Sequence, residues 1–536
     1  MEASPGAVAI SPLPLRKISN ARRYTLFVVF CLAMFLDAFN LSALFAATPV
    51  LESHFNMDES QASWVISAFQ LTYASFLLIS GRISDVYHPK PAFVLGVSCL
   101  GLLSLGTGFV KDKIGLIILR ALCGICAAMT IPSALALIVR FFPEPREQSR
   151  AIGIFGGVGG VGNTSGAIIS ALFVDFANFH WIFYFVTILA VPSAVACIVL
   201  IPPQDKSESD NLTAKEKLRN LDLVGVGVLT AALILFIFAV TSGSDAGWSS
   251  AEVLAPLIIS VFMVAGFFFW ETRLPPERAA IPPATWFLPN LTVLFGVSLL
   301  PYFWWNTAIM TFYGLWQKVY GWSVIKAAVH MIPIGVTSLL VSFTGPIARY
   351  IPRKWIILFG HVIAIAATIL FVFADGPDKY WRFVFPGLTI GSAGAMLIYT
   401  HTSIAIFETT PATMAGIAGA LFNCGIELGA AVGLAADTSI ESSVEKSHGG
   451  FYEFYGRRAT FWWQVATLGV SALAVLVFYR ADAKAPPPSE AEREYVARSS
   501  TEKRGVESEV ATSVMSPERT PVESGRSTAF EDEKGS

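Results

Sequence analysis

The stretch YTLFVVFCLAMFLDAFNLSALFAAT, residues 24–48, decides the fold. Its one formal charge is Asp37. The run exceeds the ~20 apolar residues that carry a helix across hydrocarbon. It is too long for the apolar core of a signal peptide, and the polar, Pro-rich Met1 to Asn20 precedes it. It therefore reads as a spanning helix, with no cleavable leader expected.

The rest of the chain repeats this pattern. Of 536 residues, 54% are hydrophobic and 14% charged, with mean hydropathy +0.59. A soluble domain carries roughly 25% charged residues, so lipid is the expected solvent for much of this chain. About fourteen apolar runs reach spanning length. They begin near Tyr24, Ala62, Pro91, Ile114, Ala151, Trp181, Leu221, Glu252, Pro289, Val324, Trp355, Trp381, Met414 and Thr460. The expected class is an all-α membrane protein of two six-helix bundles with two inserted helices. The expected divisions are a cytoplasmic segment 1–23, a first bundle 24–202, a linker 203–220, an inserted pair 221–271, a second bundle 272–480 and a disordered polar tail 481–536.

Lys and Arg concentrate in alternate short loops. Arg16, Lys17, Arg22 and Arg23 share one side with Arg82, Lys90, Arg140, Arg146, Arg150, Arg349, Arg353 and Lys354. The first loop on the other side has Glu52, Asp58 and Glu59 and neither Lys nor Arg. By the positive-inside rule both termini are cytoplasmic. Sequons begin at Asn40, Asn163, Asn211 and Asn290, in spans or on the cytoplasmic side, and none is expected to be glycosylated. The formal net charge is -2 with no basic stripe, so no nucleic-acid partner is expected. All six cysteines lie in apolar runs, and Cys123 and Cys126 read as packing residues rather than a metal or redox pair.

Polar groups at hydrocarbon depth are costly and are functional candidates by default. Asp37 in the first run, Arg120 in the fourth and Glu427 in the thirteenth are the charged ones. Either they bind and release a proton or they form a static ion pair. Asn40, Gln70, Asn163, Trp304, Asn306, His330, Tyr399 and Asn423 are candidates to line a substrate cavity, with His401 beside them; packing or interfacial anchoring is the commoner role for such residues, and Trp304, Trp305 and Trp316 also suit an interfacial belt. The fifth run carries Gly153, Gly156, Gly157, Gly159, Gly160, Gly162 and Gly166, a spacing that predicts close helix packing. A weak internal repeat links Gly81-Arg-Ile-Ser-Asp-Val-Tyr-His-Pro-Lys90 to Gly345-Pro-Ile-Ala-Arg-Tyr-Ile-Pro-Arg-Lys354. Both read as cytoplasmic turns, and Gly81, Asp85 and Lys90 are candidates for a conformational gate. The phosphate-loop, zinc-protease and EF-hand patterns are missing, and nothing suggests a catalytic constellation or a bound cofactor.

Together these residues resemble the major facilitator superfamily, in its fourteen-helix drug:proton antiporter branch of fungal type. Leu36-Asp37 with Asn40 is similar to that branch's first-helix acidic motif, and Gly81 to Lys90 to its signature loop. Arg120-Ala-Leu-Cys-Gly124 with Ile131-Pro-Ser-Ala-Leu-Ala136 is similar to the fourth-helix motif whose Arg is implicated in proton coupling. Trp181-Ile-Phe183 and Leu221-Asp-Leu-Val-Gly225 also match. Val86 and His88 stand where the family usually has a basic residue and Gly, and Gly166-Ala167 and Ser170-Ala171 replace its usual Gly-Pro and Gly-Gly. The resemblance implies a monomeric plasma-membrane carrier that exports a small organic compound against protons. Asp37 would bind the proton and Arg120 would tune it; Glu427, which stands where relatives more often have a neutral polar residue, is a second site from its depth in the membrane. Uptake or facilitated transport of a small polar solute such as ammonium is an alternative, as is a transport-dead sensor acting through its tail.

Overall fold

The computed structural model describes residues 19–57, 59–202, 221–275, 278–281, 283–410, 414–448 and 450–480. The segments 1–18 and 203–220 and the tail from 481 lie outside the described residues, as do the expectations placed on them. Fourteen helices are long and apolar enough to cross a membrane, and no strand occurs among the described residues. They are α1 (Asn20–Phe55), α2 (Glu59–Tyr87), α3 (Pro89–Thr107), α4 (Lys113–Phe141), α5 (Pro145–Phe176), α6 (His180–Leu200), α7 (Leu223–Ala246) and α8 (Ala251–Glu271). They continue as α9 (Leu291–Val319), α10 (Val324–Ser342), α11 (Arg353–Val372), α12 (Pro377–Thr409), α13 (Ala415–Ser447) and α14 (Tyr455–Phe478). Local chemistry marks their ends. Asp112 caps α4 by accepting the Gly115 N–H at 2.6 Å, and Asn56 closes α1 at φ 49. α9 is interrupted at Leu299, just before Pro301, and α10 at Met331, just before Pro333, where proline leaves a carbonyl without its helical partner.

Two apolar cores form. One is built from α1–α6 and the other from α9–α14. α7 and α8 pack on each other, and α7 lies over the line where α2 meets α13. There Val226, Leu229 and Leu233 sit among Leu78 and Ile79 of α2 and Ile417, Leu421 and Cys424 of α13. Trp248 at the end of this hairpin donates to Ser439 of α13 at 2.8 Å. At the same end of the second bundle's helices, Asp375 accepts from Lys379 and, at 3.1 Å, from Arg458; the Lys379 ammonium holds its carboxyl below the usual carboxylate range.

The two ten-residue repeats are not loops. α2 stays helical to Tyr87, His88 alone makes the turn, and Pro89 opens α3 with the fixed φ that suits a first helical position. Gly345 to Arg349 is likewise a helical turn. Their roles match. A Cβ on Gly81 would meet the Ala420 Cβ of α13 at 2.5 Å, and one on Gly345 would meet the Ser149 carbonyl oxygen of α5 at 2.6 Å. Each glycine thus marks a contact between the bundles on the face where α1 begins. Each lysine caps the last helix of its own bundle, Lys90 on the Ile201 carbonyl at 2.5 Å and Lys354 on that of Leu476 at 2.9 Å.

Two expectations follow. His88 holds φ 76 and ψ 143, a region essentially reserved for glycine. His88→Gly should relieve about 1–3 kcal/mol of backbone strain and raise the melting temperature of the purified protein; an unchanged or lower value contradicts this. Gly345→Ala should hold the α1-start face apart. A cysteine at buried Ser342, in a chain with the six native cysteines replaced, should then label several-fold faster than with Gly345 intact. An equal rate would show that the contact yields without separation.

Candidate functional site

α5 has side-chain-free surface on two sides. Gly162 and Gly166 press on Phe35, Phe39 and Ser42 of α1, and Gly153, Gly157 and Gly160 press on Ser342 and Ser338 of α10. The helix therefore packs at once on its own bundle and on the other, as the glycine spacing predicts. Where Gly156, Gly159 and Gly160 face inward, they leave a cavity between the bundles. α1, α2 and α5 line it from one bundle through Ala38, Leu41, Gln70 and Asn163. α9, α10, α12 and α13 line it from the other through Tyr302, Trp305, Asn306, Ile309, Ile334, Tyr399 and Glu427. About 50 Å³ is open to the centre of a water-sized sphere. That admits a few waters, so cargo of any size requires the bundles to part.

Glu427 is 2% exposed, and Gln70 of the opposite bundle donates to its Oε2 at 3.4 Å. Asp37 is 4% exposed and sits next to the lining residue Ala38. Its Oδ2 accepts the Thr130 hydroxyl of α4 at 2.7 Å, and Oδ1 has no hydrogen-bond partner among the described residues.

Arg120 is fully buried and has no carboxylate partner among the described residues. It donates to the Asn40 side chain at 3.1 Å, the Asn40 carbonyl at 3.0 Å and the Val65 carbonyl at 3.1 Å, and its guanidinium lies 4.4 Å from the Phe69 ring centre. The guanidinium thus ties α4 to α1 and α2. Its link to Asp37 runs through α1, where Asn40 stands one turn away, rather than through an ion pair.

The other candidate residues separate. Gln70, Asn163, Asn306 and Tyr399 line the cavity; Asn40, Trp304, His330 and Asn423 do not. Asn423 donates back to the Gly419 carbonyl of its own helix. Trp304 turns into the second bundle, donating to Thr368 at 2.9 Å, and Trp305 takes the cavity face in its place. Trp304, Trp305 and Trp316 are all buried, so none is a belt residue. His330 packs edge-on or tilted against Trp316, Trp322 and Tyr380 in the first turns of α10, and His401 faces Thr344 near the α1-start face. Gly81 meets α13, Lys90 caps α6, and the Asp85 side chain lies outside the described residues. Cys123 and Cys126 are free thiols within α4.

Sequence reasoning missed Thr130, Tyr302 and Asp437. Asp437 is 4% exposed in α13 and accepts the Thr307 hydroxyl of α9. It is the next place after Gly425, Gly429 and Gly433 on the ridge that packs against Ser298, Leu299 and Phe303 of α9. The four-residue spacing of small residues was the available signal.

Known proteins share this architecture. The chain is 27% identical to a major facilitator superfamily multidrug transporter, mfsC, of Aspergillus fumigatus, over 83% of this chain and 85% of that one. It is 26% identical to a low affinity ammonium transporter of Saccharomyces cerevisiae, over 84% and 86%. The human organic anion transporter MFSD10 superposes with a TM-score of 0.59 at 16% identity, covering 85% of this chain and all of that one. The superfamily profile matches residues 30–434. With fourteen membrane helices around a cavity between two bundles, the protein is a multi-pass membrane transporter and belongs to the Major Facilitator Superfamily.

Proposed function

We propose that this carrier exports a small organic compound in exchange for protons, as a monomer in the plasma membrane with both termini in the cytoplasm. One observation carries the reading: Asp37 is buried at membrane depth beside the cavity and, among the described residues, has no ion-pair partner and one oxygen unpartnered. A charge in that setting is costly, and binding a proton removes the cost. Loss of the proton then favours a conformation that brings solvent to Asp37, which couples protonation to the movement of the bundles.

Glu427 is a second coupling group. Its bond to Gln70 crosses the seam, so parting of the bundles breaks it. Arg120 is a positioning residue that holds α1 through Asn40, one turn along the helix from Asp37. Gly81 and Gly345 form the closed contact on the α1-start face, and Asp85 and Lys90 belong to the same gate. The excess of Lys and Arg on that face makes it the cytoplasmic one. The multidrug relative supports export. The ammonium transporter relative favours a second reading, uptake or facilitated transport of a small polar solute such as ammonium.

Flux in proteoliposomes separates the two. A panel of toxic organic compounds and ammonium analogues is tested under an imposed pH gradient. Export predicts that the gradient drives uphill flux of at least one compound and that Asp37→Asn reduces it to the level of empty vesicles, while exchange of the same compound at equal concentrations persists. Flux equal in both proteins and indifferent to the gradient would replace coupled export with facilitation.

A further inference from the structure

We propose that the groove where α9 and α11 begin and α14 ends is a binding site for one anionic phospholipid. The groove belongs wholly to the second bundle, on the face where α1 begins, and shares no lining residue with the cavity between the bundles. The site stands apart from transport. It rests on the orientation proposed for the chain, which places it in the cytoplasmic leaflet, where anionic lipids give the membrane surface its negative potential.

Size and surface both suit a lipid. About 920 Å³ of the groove is open to the centre of a water-sized sphere, near the top of the roughly 300–1,000 Å³ of small-molecule sites. Phe287, Val477 and Phe478 line it at 88%, 68% and 65% exposure. Phe287 precedes α9, and the other two form the last turn of α14, so their apolar surface lies where the membrane meets water. Acyl chain covers such surface at less cost than water does. Trp355 follows the groove's Lys354 and is also exposed, in the place of an interfacial anchor.

Charge chooses the headgroup. Lys354 and Arg480 carry the only formal charges among the described lining residues, and both are positive. The neighbouring Arg353 is paired with Glu408 of α12, so that carboxylate is already engaged. Lys354 gives one N–H to the Leu476 carbonyl at 2.9 Å, and an ammonium has three, so it can serve that carbonyl and a phosphate oxygen together. Arg480 is exposed, and a guanidinium forks onto phosphate or carboxylate oxygens. A zwitterionic headgroup would bring its own ammonium up to two cations with no acid beside them. A headgroup of net negative charge avoids that repulsion.

The rim is held in place. Arg480 lies beyond the end of α14 at Phe478, where a chain ordinarily frays. Here its N–H donates to Asn290 Oδ1 at 2.8 Å, and its carbonyl accepts from Asn290 Nδ2 at 2.9 Å. Asn290 reaches both from the left-handed region at φ 66, which asparagine enters more readily than most residues. The backbone that carries the Arg480 side chain is thus fixed against the start of α9.

The test is native mass spectrometry of the purified full-length protein, titrated with phosphatidylserine or with phosphatidylcholine of the same acyl chains. The first phosphatidylserine should bind roughly tenfold or more tighter than phosphatidylcholine. Arg480→Gln should weaken it roughly fivefold, the worth of one cation at an anionic surface. Arg273→Gln, beyond the end of α8 on the same face and outside the groove, should leave it unchanged. Lys354→Gln should weaken it as well; because Lys354 also caps α14, Arg480→Gln keeps the proposal open to refutation if the lysine variant does not fold. Phe287→Asp should weaken the lipid too, since it spoils the apolar wall. The two lipids binding alike would overturn the proposal and leave the groove to the residues that follow Arg480. A preference that survives Arg480→Gln, or equal loss in Arg273→Gln, would overturn it as a general surface effect. Displacement of the lipid by millimolar glycerophosphoserine or inorganic phosphate would show a site for soluble anions instead of a lipid.

Discussion

The structure depends on one helix that touches two others through faces without side chains. α5 lies against α1 of its own bundle and α10 of the other, and in each case glycines meet backbone or a short serine. In lipid no hydrophobic drive holds helices together, so close packing of small residues has to supply much of the adhesion. Gly160 belongs to both the close packing and the cavity wall, and Gly156 and Gly159 beside it leave the space between the bundles. Seam and cavity are thus one feature seen from two sides. A larger residue at Gly157 would meet Ser342, and one at Gly156 would meet the Tyr399 ring, so packing and cavity shape cannot be altered independently.

The buried charges are arranged on this frame by a simple rule. Beside the cavity, every nitrogen of Arg120 has an acceptor, whereas the carboxyls are less fully bonded. Arg120 gives three of its donors to Asn40 and Val65 and sits over the Phe69 ring, which fixes three helices of the first bundle. Asp37 and Glu427 each have a single weak or moderate side-chain donor, Thr130 and Gln70. A saturated cation is suited to structure, and an under-satisfied carboxyl is suited to exchange. Asp437 with Thr307 repeats the carboxyl–hydroxyl arrangement in the second bundle, but there it ends a glycine ridge between α13 and α9, away from the cavity.

Much of this was legible in the sequence, for physical reasons. Spanning helices announce themselves by length and composition, and the fourteen apolar runs became fourteen helices. The glycine spacing on α5 and the faint repeat of Gly81 to Lys90 in Gly345 to Lys354 are also pattern, and both found structural meaning. Direction of side chains was harder. Trp304 and Trp305 are adjacent, about 100° apart around a helix, and nothing local says which one faces the cavity. The repeat was read as two turns because Gly, Pro and charges usually punctuate loops; α2 kept its helix to Tyr87 because α13 packs on Gly81 there, and left only His88 to turn the chain. Asn40 was assigned to the cavity because a polar residue in lipid suggests a ligand, whereas its partner is the side chain of Arg120, 80 residues away in sequence.

The central claim is that the two bundles move as bodies about the α5–α10 seam, closing and opening the face where α1 begins. Spin labels on that face test it directly, one at exposed Arg146 at the start of α5 and one at exposed Tyr350 beyond α10, with distances measured by double electron–electron resonance across acid and alkaline pH and with a transported compound. The account predicts two distance populations, a short one matching the closed contact of Gly345 with Ser149 and a longer one whose share changes with pH or compound and disappears from that dependence in Asp37→Asn. A single distance, unmoved by pH, compound or Asp37→Asn, would contradict it.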